Sequence, residues 1–126
     1  MIAIVDDEEI IGTILTEVLM AEGYPARAFR SAQDCLAAVA AGLRLDLCFV
    51  DLRMRGCSGA QFVQRLRQSP RVVDVAIYVV SGSMLEADFP PRHLIEGTIT
   101  KPFSLEQVLL VAARHLRPVA RQDVVS

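Results

Sequence analysis

The sequence has no tryptophan, and aromatic residues make up only 6% of its 126 residues. No basic cluster with interleaved aromatics occurs along it. Direct nucleic-acid binding is therefore not expected, since it needs cations for the phosphates and rings for the bases. The formal net charge of −2 gives no pull towards an anionic membrane. Long hydrophobic runs are also missing, and the longest falls well short of the ~20 residues of a membrane-spanning helix. Asp6 to Glu9 interrupt the N-terminus where a signal peptide would carry its apolar stretch. Cysteine is scarce: Cys35, Cys48 and Cys57 are odd in number and widely spaced, which gives neither a disulfide framework nor a zinc pattern. Cys35 and Cys48 read as small buried hydrophobes. The expectation is a cytoplasmic protein with no membrane association.

Apolar residues make up 52% of the chain and charged residues 22%, a globular balance at a length that suits one domain with one core. Short β-branched runs alternate with segments of helical period. Ile2 to Val5 is a continuous apolar strand, of the kind covered on both faces. Ile10, Ile11, Ile14, Leu15, Val18 and Leu19 mark an amphipathic helix that Gly23 ends. Pro25 to Phe29 is a weak second strand, at a start or an edge because of Pro25. Ser31 and Asp34 cap a helix through Val39 that Gly42 closes. Asp46 to Val50 is a third strand. Phe62, Val63 and Leu66 mark a third helix that stops near Pro70. Val75 to Val80 is the strongest strand signal, and Gly97 to Thr100 is a short fifth strand. Ser104 and Gln107 form a capping box for a last helix that carries Leu105, Val108, Leu109, Ala112 and Leu116. Strand alternating with helix means an α/β fold with a doubly wound parallel sheet, right-handed crossovers and helices on both faces.

Such sheets bind ligands outside the carboxyl ends of their strands. There, each apolar run passes straight into a polar residue: Asp6 and Asp7, then Asp51, Ser81 and Lys101. Asp6 to Glu9 could merely cap a helix, but the other strand ends agree on one rim. Three clustered carboxylates need a cation or their pKa values must rise. Oxygen ligands with no His or Cys favour Mg2+ over zinc. Lys101 adds a point charge suited to a phosphoryl group, and Ser81 adds a hydroxyl. Asp51 is the candidate nucleophile, because a carboxylate can accept a phosphoryl group as an acyl phosphate.

The stretches Val5-Asp6-Asp7-Glu8, Phe49-Val50-Asp51-Leu52-Arg53-Met54 with Gly59, Val79-Val80-Ser81-Gly82 and Lys101-Pro102-Phe103 occur in that order, each at a strand end. Together they resemble the signature of a response-regulator receiver domain of two-component signalling, over Ile2 to about Leu116. The resemblance implies a flavodoxin-like (βα)5 fold with strand order 2-1-3-4-5. It also implies a receiver domain over residues 1–117 and a flexible C-terminal tail over residues 118–126. It makes Asp51 the phosphoacceptor, charged by a phosphohistidine on a sensor histidine kinase or a histidine phosphotransfer protein. Asp7 would bind Mg2+ directly and Asp6 partly through water, with Asp51 and the backbone carbonyl of Arg53 completing the protein ligands. Ser81 would be the switch hydroxyl, and Lys101 would pair with the phosphoryl group. The Lys101-Pro102 bond would be cis.

Four departures from that family matter. Thr98 stands at the switch position, where an aromatic is usual. Gly82 follows Ser81, where a small residue such as Ala is usual. The loop after Asp51 reads Met54-Arg55-Gly56, where Met-Pro-Gly is frequent. Pro90-Pro91 cannot sit inside a regular helix, so the fourth helix is expected to be short or broken, with one turn from Met84 to Ala87. Receivers use this face to dimerise or bind targets, so the output surface is expected to be remodelled. Arg53 could line the pocket, or Arg53 and Arg55 could be solvated loop charges. Cys57 reads as an ordinary loop thiol, and His93 and His115 as surface residues without partners.

The leading functional reading is a self-phosphorylating and slowly self-dephosphorylating switch, not a metabolic enzyme. It would act through a downstream protein or an output domain severed from it, with homodimerisation as one route. An alternative is an atypical receiver that binds partners without phosphorylation, motivated by Thr98 and the broken fourth helix. A Mg2+-dependent phosphatase with an aspartate nucleophile is a third class. Such enzymes place an acid two residues beyond the nucleophile, where this chain has Arg53.

Overall fold

Strand β1 (Ile2–Val5) is buried at every residue. So are β3 (Leu47–Asp51) and β4 (Ala76–Ser81). Unbroken burial is what unalternating apolar runs require, because a central parallel strand is covered on both faces. The computed structural model describes residues 1–70, 72, 74–82 and 89–119. It gives a five-stranded parallel sheet in the order β2-β1-β3-β4-β5, where β2 is Ala26–Phe29 and β5 is Gly97–Thr100. The two edge strands are less buried, and β2 exposes Arg27 and Ala28 between Ala26 and Phe29.

Two apolar layers flank the sheet. Ala3, Val5, Cys48, Val50, Ile77 and Val79 point to the side of α2 (Ala32–Ala40) and α3 (Gly59–Gln68). Ile2, Ile4, Leu47, Phe49, Tyr78 and Val80 point to the side of α1 (Glu9–Ala21) and α4 (Leu105–His115). Helices therefore cover both faces. In α3 the buried stripe is Phe62, Val63 and Leu66, and each such side chain contributes roughly 1.5–3 kcal/mol over exposure. No helix among the described residues is long and apolar enough to cross a membrane.

The helix starts follow side-chain chemistry. Ser31 accepts from the Asp34 N–H, and Ser104 and Gln107 close a capping box on α4. Ser58 and Gln61 close a second capping box on α3, which the sequence reading passed over. The N-cap of α1 is Glu8, and its side chain makes no capping bond. Asp6 accepts the Glu8 N–H just ahead of the helix and Glu9 stands in its first turn, so helix-start chemistry accounts for part of the acidic run and leaves Asp7 outside it.

Between β4 and β5 the described residues hold no α-helix, only a 3-10 turn at Arg92–Leu94. The expected helical turn at Met84–Ala87 lies outside the described residues. Pro90 is buried, and the Arg92 guanidinium lies 5.2 Å from the centre of the Phe89 ring. Arg67 of α3 donates from Nε to the Leu94 carbonyl at 2.9 Å, which ties the turn down. Beside the start of β2, the edge strand opposite β5, the Val119 N–H donates to the Gly23 carbonyl at 2.7 Å. The start of the expected tail thus rests on the α1–β2 turn, and residues 120–126 lie outside the described ones.

Candidate functional site

Register aligns the carboxyl ends of the strands. Val5 pairs with Val50, Asp51 with Val80 and Ser81 with Thr100. Asp6 follows β1, Asp51 ends β3, Ser81 ends β4 and Lys101 follows β5. Backbone bonds extend the ladder through these positions. The Asp6 N–H donates to Phe29 O at 3.0 Å, the Leu52 N–H to Val80 O at 3.0 Å and the Lys101 N–H to Ser81 O at 2.7 Å. The polar side chains of this rim are thus carried on hydrogen-bonded backbone.

One carboxylate oxygen from each of Asp6, Asp7 and Asp51 lies within 4.8 Å of the others. Asp6 is 5% exposed, Asp51 6% and Ser81 3%, while Asp7 is half-buried. Lys101 Nζ donates to Asp51 Oδ1 at 3.3 Å. The Lys101-Pro102 peptide bond is cis. Burial pushes the Asp6 carboxyl from its ordinary 3.8 up to about 6; the Glu8 N–H and Lys101 pull it down, and the charges of Asp51 and Glu8 add to the rise. Burial also raises Asp51, with Asp7 adding to the rise. The Lys101 charge, its hydrogen bond and the Arg53 N–H work against that rise. The Glu8 N–H bond to Asp6 Oδ1 measures 2.9 Å.

Burial thus wins over the local cations, and the acidic group carries uncompensated negative charge. An all-oxygen donor set at this spacing fits a hard divalent cation, with Mg2+ the natural choice. It offers nothing to a soft metal.

A groove of about 620 Å³ opens beside Lys101, between α1 and the β5–α4 loop. Ile11, Ile14, Leu15, Phe103 and Leu105 line it together with Glu8 and Pro102. Ile10, which precedes the lining residue Ile11 in α1, is 71% exposed.

Gly59 holds α3 against the end of β3. A Cβ there would lie 2.7 Å from the Asp51 carbonyl oxygen and 2.8 Å from Leu52 Cα, both backbone atoms. Gly59→Ala is therefore expected to cost about 2 kcal/mol and to displace the Asp51 loop. Chemical denaturation checks this, and an unchanged midpoint would show that the loop gives way freely.

Thr98 lies half-buried in β5, paired with Val79. Arg53 is exposed, and its backbone N–H bonds the Asp51 carboxylate. Cys57 is buried in the α2/α3-side core, its thiol 3.7 Å from Ser58 O and 4.0 Å from Arg65 Nη1. His93 is exposed as expected. His115 is a correction: it is half-buried, and its Nε2 shares a 2.8 Å hydrogen bond with the Tyr78 hydroxyl. The partner lies on β4, far away in sequence, so local pattern carries no sign of it. Sequence reasoning also missed the pairing of Arg55 with Asp7, in which the Arg55 N–H donates to Asp7 Oδ2 at 3.2 Å.

Comparison with known proteins gives a consistent picture. Transcriptional regulatory protein PcoR from Escherichia coli is 37% identical over 121 residues, which cover 96% of this chain and 53% of PcoR. Nitrogen assimilation regulatory protein NtrX from Azorhizobium caulinodans is 30% identical over 117 residues, 91% of this chain and 26% of NtrX. The chain thus spans about half or less of the length of these curated relatives. A response regulator receiver protein from Pseudomonas putida superposes with a TM-score of 0.81 at 25% identity, covering 90% of this chain and 95% of its own. Residues 2–113 match the family model described as the response regulator receiver domain, and the chain belongs to that family.

Proposed function

We propose that this receiver domain is switched by Mg2+-dependent transfer of a phosphoryl group to Asp51. The donor would be a phosphohistidine on a sensor histidine kinase or a histidine phosphotransfer protein. The observation that carries this reading is the grouping of Asp51, buried at a strand end, with Lys101 at 3.3 Å and the Asp6 and Asp7 carboxylates beside it. An Asp51 carboxylate oxygen forms the new O–P bond. The P–N bond of the donor breaks, and its electron pair returns to the imidazole ring.

Asp6, Asp7, Asp51 and the backbone carbonyl of Arg53 would hold Mg2+. When bound, the ion offsets the negative charge of the carboxylates and of the phosphoryl oxygens. Lys101, already on Asp51, would pair with the transferred group. The Ser81 hydroxyl would then move towards that group and reshape the β4–β5 side. Thr98 cannot follow as an aromatic ring would, so the output rests on other contacts of that side. Hydrolysis by water would reset the switch.

The apolar groove beside Lys101 offers the donor protein a surface within reach of Asp51. Downstream, the signal would pass to a partner protein or an attached output domain, with homodimerisation as one route. The relatives' own names are those of transcriptional and nitrogen regulators.

The test is intact-protein mass spectrometry after acetyl phosphate and Mg2+. One added phosphoryl group, absent when the metal is chelated, is expected. No adduct, with beryllofluoride also failing to bind, would move the function to phosphorylation-independent docking.

A further inference from the structure

The loop between β3 and α3 reads Met54-Arg55-Gly56. Besides the N–H bond from Arg55 to Asp7 Oδ2 at 3.2 Å, the Arg55 Nε stands 3.9 Å from the same oxygen. Among the described residues, Lys101 pairs with Asp51 and Arg55 with Asp7 in this carboxylate cluster. These two differ in kind. Lys101 is half-buried, whereas the Arg55 side chain is 98% exposed and free to swing into solvent. Asp7 is the least buried of the three acids, so solvent ions reach it most readily.

We infer that Arg55 is a positioning residue that sets the affinity of the acidic site for its divalent cation. Its guanidinium serves as a resident counter-charge on Asp7 that an incoming cation must oppose, while its N–H holds the Asp7 carboxylate in place. The inference rests on the function proposed above. The two parts act in opposite directions. The N–H orients a ligand and so favours binding. The guanidinium lowers the negative potential that attracts a cation and so disfavours it. A proline at position 55 would supply neither, because it has no N–H and no charge.

Calorimetric Mg2+ titration of the full chain separates these parts, since Arg55→Ala keeps the N–H and loses only the charge. At low salt, Arg55→Ala should bind Mg2+ about three- to tenfold tighter than wild type. Arg55→Glu should bind tighter still, and Arg55→Lys should stay near wild type. Raising the salt should shrink the differences, because an exposed pair is screened. Without metal the Ala variant should melt below wild type, and at saturating Mg2+ the two should melt together. A merely structural role would lower both melting points. Equal dissociation constants in wild type, Ala and Glu variants would overturn the inference, as would weaker binding by the Ala variant. Absence of Mg2+ binding in every form would instead overturn the metal site, and the inference with it.

Discussion

Asp51→Asn is expected to abolish phosphoryl transfer outright, with wild type gaining one phosphoryl group from acetyl phosphate and Mg2+ and the variant none. The substitution keeps the shape of the side chain and an oxygen to receive the Lys101 hydrogen bond. It removes the anionic oxygen that must attack phosphorus. Among the described residues, no neighbour is placed to take over. Asp6 is equally buried, and its Oδ1 is held by the Glu8 N–H at 2.9 Å. Asp7 Oδ2 is occupied by the Arg55 N–H. Lys101 Nζ hydrogen-bonds Asp51 Oδ1, where it can meet charge that develops on a group bound at that residue. Ser81 is buried at 3% exposure, and a hydroxyl in that position needs a general base to attack. An adduct of wild-type size on Asp51→Asn would place the nucleophile elsewhere and dissolve the role given to this strand end.

Much of this arrangement is legible in the chain, for reasons that differ by element. The bounds of β1 and β5 agree with the sequence because Val5 runs into Asp6, and Gly97–Thr100 lies between Glu96 and Lys101. β3 and β4 each sit one residue further on than apolarity alone suggests. Asp51 and Ser81 still join the ladder, opposite Val80 and Thr100, and a hydrophobic run ends before its hydrogen bonds do. The start of α3 at Gly59 is hidden because a glycine beside a loop does not advertise a helix. Its real signal is the Ser58–Gln61 pair, a capping box as clear as the one read at Ser104 and Gln107. The convergence of Asp6, Asp7 and Asp51 follows from strand topology, so it can be read once alternation of strand and helix is recognised. Pairings between distant side chains are different. Tyr78 with His115, Arg67 with the Leu94 carbonyl and Arg55 with Asp7 span between 27 and 48 residues. No local rule predicts them, because each depends on how loops lie over a finished sheet.

Acidification should stabilise the metal-free protein, against the usual direction for acidic side chains. An unfolded Asp titrates near its ordinary 3.8, while folded Asp6 titrates at about 6. Between those two values the folded state binds more protons than the unfolded state, so stability falls as pH rises through that window and levels off above it. The shift corresponds to about 3 kcal/mol lost at neutral pH relative to strongly acidic solution. Asp51, also raised by burial, works in the same direction. For a domain of this length, the metal-free melting temperature should rise by on the order of 10 °C between about pH 7.5 and about pH 4, less what other groups contribute.

Saturating Mg2+ at neutral pH should restore most of that loss, because it offsets the charge that burial leaves uncompensated. Its effect should fade as pH falls through about 6, since protons and metal compete for the same oxygens. Asp51→Asn should likewise stabilise the metal-free form at neutral pH by removing one crowded charge. Asp6→Asn isolates the source, because it should remove most of the acid-side rise and leave only the part that Asp51 contributes. Calorimetric melting of the three proteins across pH, with and without Mg2+, decides the matter. If wild type and Asp6→Asn lose stability in parallel on acidification, burial of Asp6 is not what strains this site. Asp6 would then contribute to the pull for a cation only as an ordinary ionised carboxylate.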